Sequence, residues 1–253
     1  MPDRHIVLQT KNLQLKNGCE TLSECVGKQE IVGLAGLDGH GQAQFLEALA
    51  GVFKASSGSV EAIRNNQTIA IESLTDAAAA KIGYLPSDRK HNGIFPGLSV
   101  FDNFSLGNLS GFSRGFWLNR AATAKSLNGF RDELSMSYAS ENMPINRLSG
   151  GNQQKVLLAR AMAREPEILL LNDPTRGVDI QTRHALYRYF RKSVREHALT
   201  LVVLSTELEE IIELCDRVIV FRDHGISARL SKSEMTMDTL MAAMFGQLEA
   251  SST

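Results

Sequence analysis

Residues Arg147 to Asp179 read RLSGGNQQKVLLARAMAREPEILLLNDPTRGVD, and this stretch decides the fold. Ser149 stands where a helix N-cap belongs, so its hydroxyl and the next backbone N–H groups are placed to meet an anion. Gly150 and Gly151 let the backbone come close to whatever lies there. The pattern predicts a helix from about Gly151 to Ala163. It ends before Glu165-Pro166, because the residue preceding proline avoids the α region. Ile168 to Leu171 is a continuous apolar run of buried-strand type, closed by the polar pair Asn172-Asp173. Polar groups at the carboxyl end of a buried strand point to an open α/β sheet, whose ligands bind at that edge.

The run LSGGNQQK, Leu148 to Lys155, resembles the signature motif of ABC-transporter ATPases. LLLND and GVD follow at the spacing of that family's Walker B strand and D-loop. NQQK together with PTRGVD is similar to the second nucleotide-binding domain of importers for monosaccharides of the ribose, galactose and xylose type. The resemblance extends from about Leu8 to Leu230. It implies an α/β P-loop NTPase (RecA-like) core with an antiparallel β subdomain and an inserted helical lobe, all in one domain over residues 1–253. The core lobe is expected at about 1–86 and 156–230, the helical lobe at about 87–155, and a closing helix at about 232–245.

Composition sets the outer bounds. With 43% hydrophobic and 22% charged residues the chain is an ordinary globular sequence. A net charge of −1 argues against nucleic acid as a partner. Cys19, Cys25 and Cys215 are odd in number and lack zinc-ligand spacing, so they read as reduced structural cysteines and no metal site is assigned. The N-terminus lacks a signal-peptide core, and no apolar run approaches the roughly 18–20 residues that span a bilayer.

From the amino end, Ile6 to Leu15 alternates apolar and polar residues as a half-buried strand does, and Asn17-Gly18 is a turn. A second short strand is expected near Thr21 to Val26. Glu30 to Gly51 then gives strand, glycine loop and amphipathic helix, with Phe45, Leu46 and Leu49 on one helix face. Gly36 and Gly41 have the spacing of GxxxxGK[ST], but Gln42 and Ala43 occupy the last two places. Gln42 brings no charge to a phosphate, and Ala43 has no oxygen for Mg²⁺. Gly36, Gly39 and Gly41, with His40 between them, still permit a backbone anion nest, against which Asp38 adds a repulsive charge. Two readings stay open here: weak or Mg-independent nucleotide binding, and a loop kept for its shape.

Thr75 is expected to cap the alanine-rich helix after it, and Ile82 to Leu85 forms another buried strand. The following Pro86-Ser87-Asp88-Arg89-Lys90 resembles the segment of sugar-importer ATPases that joins the lobes and faces the membrane partner. That likeness implies coupling roles for Ser87, Asp88 and Arg89; serine is too short to replace the family's glutamine beside Mg²⁺ and the attacking water. Phe95, Phe101, Phe104, Phe112, Phe116 and Trp117 form an aromatic set that either packs a small lobe or grooves its surface for a coupling helix, and a helix runs from about Arg120 to Met136.

By the resemblance, Asn172 takes the place of the aspartate that orients Mg²⁺, and Asp173 that of the glutamate that polarises water; an alternative frame makes Asp173 the Mg²⁺ ligand followed by Pro174, which leaves no base. Asp173 is one methylene short, and a misplacement of about 1 Å costs on the order of 10² in rate. It is the one weak candidate for a catalytic group. Thr182 to Glu196 reads as a helix and Leu199 to Leu204 as a strand. Thr206 stands where the family has a switch histidine, and with Glu209 it reads as a capping box. Arg217 to Phe221 is a last core strand, and a closing helix over Lys232 to Phe245 ends at Gly246.

Five positions of the chain's own nucleotide site are thus altered: Gln42, Ala43, Ser87, Asn172 and Thr206. The signature residues Leu148, Ser149, Gly150, Gly151 and Gln154 are intact. Since each ATP in this family lies between one domain's P-loop and its partner's signature, the resemblance implies a division of labour. This chain would bind ATP weakly or in trans, with the need for Mg²⁺ open. Implied partners are a second ABC ATPase domain, membrane permease subunits and, indirectly, a periplasmic sugar-binding protein. The implied place is the cytoplasmic face of the inner membrane, peripherally. A self-sufficient ABC ATPase and a non-catalytic scaffold or regulatory protein are the alternatives.

Overall fold

The computed structural model describes residues 5–108, 113–114 and 117–247. A six-stranded sheet forms the centre, in the order β12-β11-β3-β10-β9-β6. Its parallel members are β3 (Ile31–Gly36), β6 (Ile82–Leu85), β9 (Ile168–Asn172), β10 (Thr200–Leu204) and β11 (Arg217–Arg222). Strand β12 (Gly225–Ser231) pairs antiparallel to β11 and closes one edge.

Every residue of β9 and β10 is buried, which explains their unbroken apolar sequence: a parallel sheet is covered on both faces. Alternate residues serve different cores. Leu169, Leu171, Leu201, Val203, Val218 and Val220 join one cluster. Ile168, Leu170, Val202, Leu204, Ile219 and Phe221 join the other. The first cluster continues into helices α5 (Gly150–Met162), α6 (Ile180–Glu196), α7 (Leu208–Leu214) and α8 (Met237–Met244). The second takes in α1 (Gln42–Leu49), α2 (Leu74–Ala79) and the antiparallel sheet β2-β1-β4-β5. That sheet is built from β1 (Ile6–Gln14), β2 (Cys25–Gly27), β4 (Ser57–Arg64) and β5 (Gln67–Ala70). Phe45, Leu46 and Leu49 are buried as their spacing predicts, and the Phe45 ring tilts against Phe221 at 5.2 Å.

The helical lobe comprises α3 (Val100–Ser105), α4 (Arg120–Glu133) and a short hairpin of β7 (Ser113–Arg114) and β8 (Trp117–Leu118). Phe101 and Phe104 are buried in it, whereas Phe95 is half-exposed. Phe112, Phe116 and the Trp117 side chain lie outside the described residues.

Several local expectations need correction. Ser73, not Thr75, caps α2: its side chain accepts from the Asp76 N–H. The second strand is shorter and later than expected, with Leu22 only bridging to Leu13. Helix α6 begins two residues early because the Asp179 carboxylate accepts the Thr182 N–H at 2.9 Å. The closing helix begins late, at a capping box formed by Thr236 and Thr239. The box proposed for Thr206 does not form: Glu207 precedes α7 without a side-chain cap, and Thr206 is engaged elsewhere.

Candidate functional site

Four chain segments leave the central sheet at the same edge. Residues 37–41 follow β3, residues 86–94 follow β6, Asp173 follows β9 and Ser205-Thr206 follow β10. The parallel register forces this, and it is the edge where open α/β sheets bind ligands.

The glycine loop turns into α1 through Gly41, at φ +105°, which serves as an N-cap without a side-chain bond. Only glycine takes that backbone without strain. Gly39 is also left-handed, and a Cβ there would meet nothing within 4 Å. His40 moors the loop to the β11–β12 turn. Its ring Nδ1 accepts the Asp223 N–H at 3.0 Å, and its carbonyl accepts the His224 N–H at 2.9 Å.

Gln42 bends back into the loop. Its Nε2 donates to the carbonyls of Leu37, at 2.7 Å, and Gly36, at 3.2 Å. The Oε1 of the same amide is buried without a hydrogen-bond partner, and a Cβ on Gly36 would lie 3.0 Å from it. The amide therefore fills space next to the loop backbone. Ala43 is exposed and Asp38 stays on the outside of the loop.

Asn172 is buried, and burial pushes up the pKa of Tyr84, with the Asn172 side chain opposing the shift. Asp173 is buried with φ +47°, a left-handed backbone that aspartate tolerates better than most residues. Its Oδ1 accepts both the Thr206 N–H, at 2.7 Å, and the Thr206 hydroxyl, at 3.0 Å. Asp173 also donates its own N–H to the Leu204 carbonyl at 2.8 Å. The Asp173 carboxylate at the end of β9 is thus already engaged with Thr206. Behind it lies Glu210, 1% exposed, accepting from the Thr175 hydroxyl at 3.1 Å. Burial above all raises its pKa to about 7, with Asp173 adding repulsion and Ser205, Thr175 and Arg183 opposing.

A second group gathers at the start of α5. Ser149 Oγ accepts from the backbone N–H of Asn152 at 3.4 Å and from its side-chain amide at 3.1 Å. Leu148 and Gln154 are buried, and Gln153 donates to the carbonyls of Leu148 and Ile145. Lys155 is buried too and donates to the Ser135 carbonyl at 3.0 Å, tying α5 to the end of α4. A Cβ on Gly151 would sit 3.2 Å from Thr182, so α5 and α6 begin side by side. Arg176 and Gly177 run past the same place, where Arg89 donates from Nη1 to the Arg176 carbonyl at 2.7 Å. Asp88 accepts the N–H groups of Lys90 and His91 at 3.1 Å each. Ser87 adds only its carbonyl, which accepts the Arg89 N–H.

The expected residues therefore fall into two groups. Gly36 to Gln42 and Asn172 to Thr206 lie along the strand ends; Ser149 to Gln154 and Asp88-Arg89 lie at the start of α5. Tyr84 and Thr182 escaped the sequence reading, since neither belongs to a motif. A tyrosine one place from the end of a buried strand is the only signal Tyr84 gives. Among the described residues no group of three or more His, Cys, Asp or Glu could hold a metal, and no helix is long and apolar enough to cross a membrane.

The architecture defines the class: a P-loop NTPase core with an antiparallel sheet subdomain and a helical lobe. The family model for ABC transporters matches residues 19–176, more than half of the chain, and the chain belongs to that family. It is similar to the ribose import ATP-binding protein RbsA 1 of Mesorhizobium japonicum, at 37% identity over 93% of this chain and 46% of that protein. It is also similar to a putative ribose/galactose/methyl galactoside import ATP-binding protein of Halalkalibacterium halodurans, at 36% identity over 96% and 46%. The chain spans about half the length of these curated relatives. Among solved structures, an ATP-binding cassette of an ABC transporter in its ADP conformation superposes with a TM-score of 0.77 at 18% identity, covering 95% of this chain and 99% of that one. A dimeric cassette in a post-hydrolysis state bound to ADP and Pi gives 0.75 at 22% identity, covering 89% and 98%. These likenesses establish the fold.

Proposed function

We propose that this chain is an energy-coupling domain of a monosaccharide ABC importer. In this reading it completes its partner domain's ATP site through its signature helix, while its own half-site holds Mg·ATP poorly. The observation that carries the reading is Gln42, whose amide bonds the Gly36 and Leu37 carbonyls inside the loop that should cradle phosphate. No side chain of that loop supplies a cation, and Ala43 supplies no Mg²⁺ ligand. Asn172 carries no charge, and Asp173 is committed to Thr206. The residues present therefore do not fit Mg·ATP in cis.

The signature side is better equipped. Ser149, Gly150 and Gly151 begin a 13-residue helix whose first N–H groups and dipole suit an anion brought by another molecule. The likeness to import ATP-binding proteins supports a sugar importer, with a second ATPase domain, permease subunits and a periplasmic sugar-binding protein as partners. The chain then works as one ATP-binding domain, peripheral on the cytoplasmic face of the inner membrane, with Ser87, Asp88 and Arg89 turned to coupling.

Calorimetry of ATP with the purified chain, with and without Mg²⁺, tests this. Absence of binding at millimolar ATP is expected. Tight binding strengthened by Mg²⁺ would overturn the division of labour.

A further inference from the structure

We propose that Arg89 is a positioning residue, whose guanidinium clamps the segment after β6 to the first turn of the signature helix and to the D-loop. Displacement of that segment by a membrane partner would then move the signature as one body; this rests on the importer reading above.

The segment lies along α5 and is fastened at both ends. It begins where the Asp88 carboxylate caps the π-helical turn Arg89–Gly93, closed by the Ile94 N–H donating to the Arg89 carbonyl at 2.8 Å. At the amino end of α5, Arg89 Nη1 donates to the Arg176 carbonyl at 2.7 Å. Its Nη2 would lie 2.7 Å from a Cβ on Gly150 and 3.6 Å from one on Gly177. The guanidinium thus occupies space that two glycines leave free, one on each element. At the other end, Arg160 Nη2 on α5 donates to the Gly93 carbonyl at 2.7 Å, and a Cβ on Gly93 would come within 2.8 Å of Leu157. Two arginines therefore hold one segment against the first and last turns of a single helix.

Two features are costly in isolation and mark the contact as functional. The Arg89 Nε is buried without a hydrogen-bond partner, although unsatisfied buried donors are rare and each calls for an explanation. A cation at a helix amino end also opposes the macrodipole. The planar fork explains why arginine is needed: it reaches two elements at once, whereas a lysine ammonium is a single point on a flexible stem. With Nη1 already given to a carbonyl and Nε buried, the group is built to fix spacing.

The test has two arms, with Arg89→Met, Arg89→Lys and, at the opposite end, Arg160→Met. In the full chain, hydrogen exchange at the amides of Ile94, Arg176 and Val178 should accelerate about tenfold in both Arg89 variants, while Leu169 to Leu171 stay unchanged. Unchanged exchange at those three amides would overturn the clamp. In the assembled complex, hydrolysis stimulated by sugar-loaded binding protein should lose about tenfold in kcat at unchanged KM for ATP, with Arg160→Met behaving like Arg89→Met. Full activity in Arg89→Lys, or a change confined to KM, would show that charge alone matters and overturn the positioning role. A wild-type complex without stimulation would count against the importer reading, and the exchange arm would then decide the clamp by itself.

Discussion

At the scale of single residues, the proposed weakness of the chain's own nucleotide site turns on Gln42. Its amide satisfies two loop carbonyls from within, and its Oε1 is buried without a hydrogen-bond partner. The double variant Gln42→Lys, Ala43→Thr replaces that acceptor by a cation and adds a hydroxyl. Hydrogen bonds to charged groups contribute roughly 1.5–3 kcal/mol each, so ATP affinity should rise at least about tenfold and become Mg-dependent. Fluorescence titration with a labelled nucleotide measures both, and an affinity no better than that of the wild-type chain would mean that Gln42 is not what closes the loop. The identity of Gln42 was legible in the sequence. Its direction was not, because a glutamine on the first turn of a helix is equally free to point into solvent.

At the scale of elements, caps show how local rules succeed and fail. Ser149 was recognisable because serine, two glycines and a long apolar-faced run leave one register for the helix. Ser149→Ala should cost about 1 kcal/mol of stability, the usual worth of an N-cap, read as a small fall in Tm. Hydrolysis at the partner's site should fall by at least about tenfold, far beyond what that loss of stability explains, with Ser149→Thr restoring most of it. Equal, small losses in both quantities would reduce Ser149 to a structural cap. Thr206 is the contrary case. It satisfies the capping-box pattern with Glu209, yet both its donors serve Asp173, 33 residues away in sequence. No local pattern foretells such a contact, because it follows from the adjacency of β9 and β10. Ser73 and Thr75 are similar in a milder way: two competent caps stand two residues apart, and backbone geometry chooses between them.

At the scale of the whole molecule, the sheet was the most legible part, since each buried strand declares itself by an unbroken apolar run and the loop chemistry marks its carboxyl edge. Glu210 was not legible, being one of four glutamates between 207 and 213. It is nevertheless an acid whose burial ties the stability of the fold to pH. Its pKa is raised from 4.5 to about 7, so the folded chain binds more protons than the unfolded one across that window. Stability is therefore fullest below about pH 4.5 as far as this group is concerned and falls as pH rises through about 7. At 1.36 kcal/mol per pKa unit the loss is roughly 3 kcal/mol. Glu210→Gln should flatten the decline of Tm between pH 5 and pH 8; an identical slope in the variant would exonerate Glu210.

The inward amide of Gln42 has a kinetic consequence as well. If Gln42 closes the loop as proposed above, the loop behaves like a receptor already saturated by a tethered competitor, and an external phosphate would see only the fraction of molecules in which the amide has swung out. Apparent affinity is the intrinsic affinity scaled by that fraction. Two ordinary hydrogen bonds, together worth about 1–3 kcal/mol, keep the fraction small. Association would then level off with rising nucleotide concentration, at the rate at which Gln42 lets go.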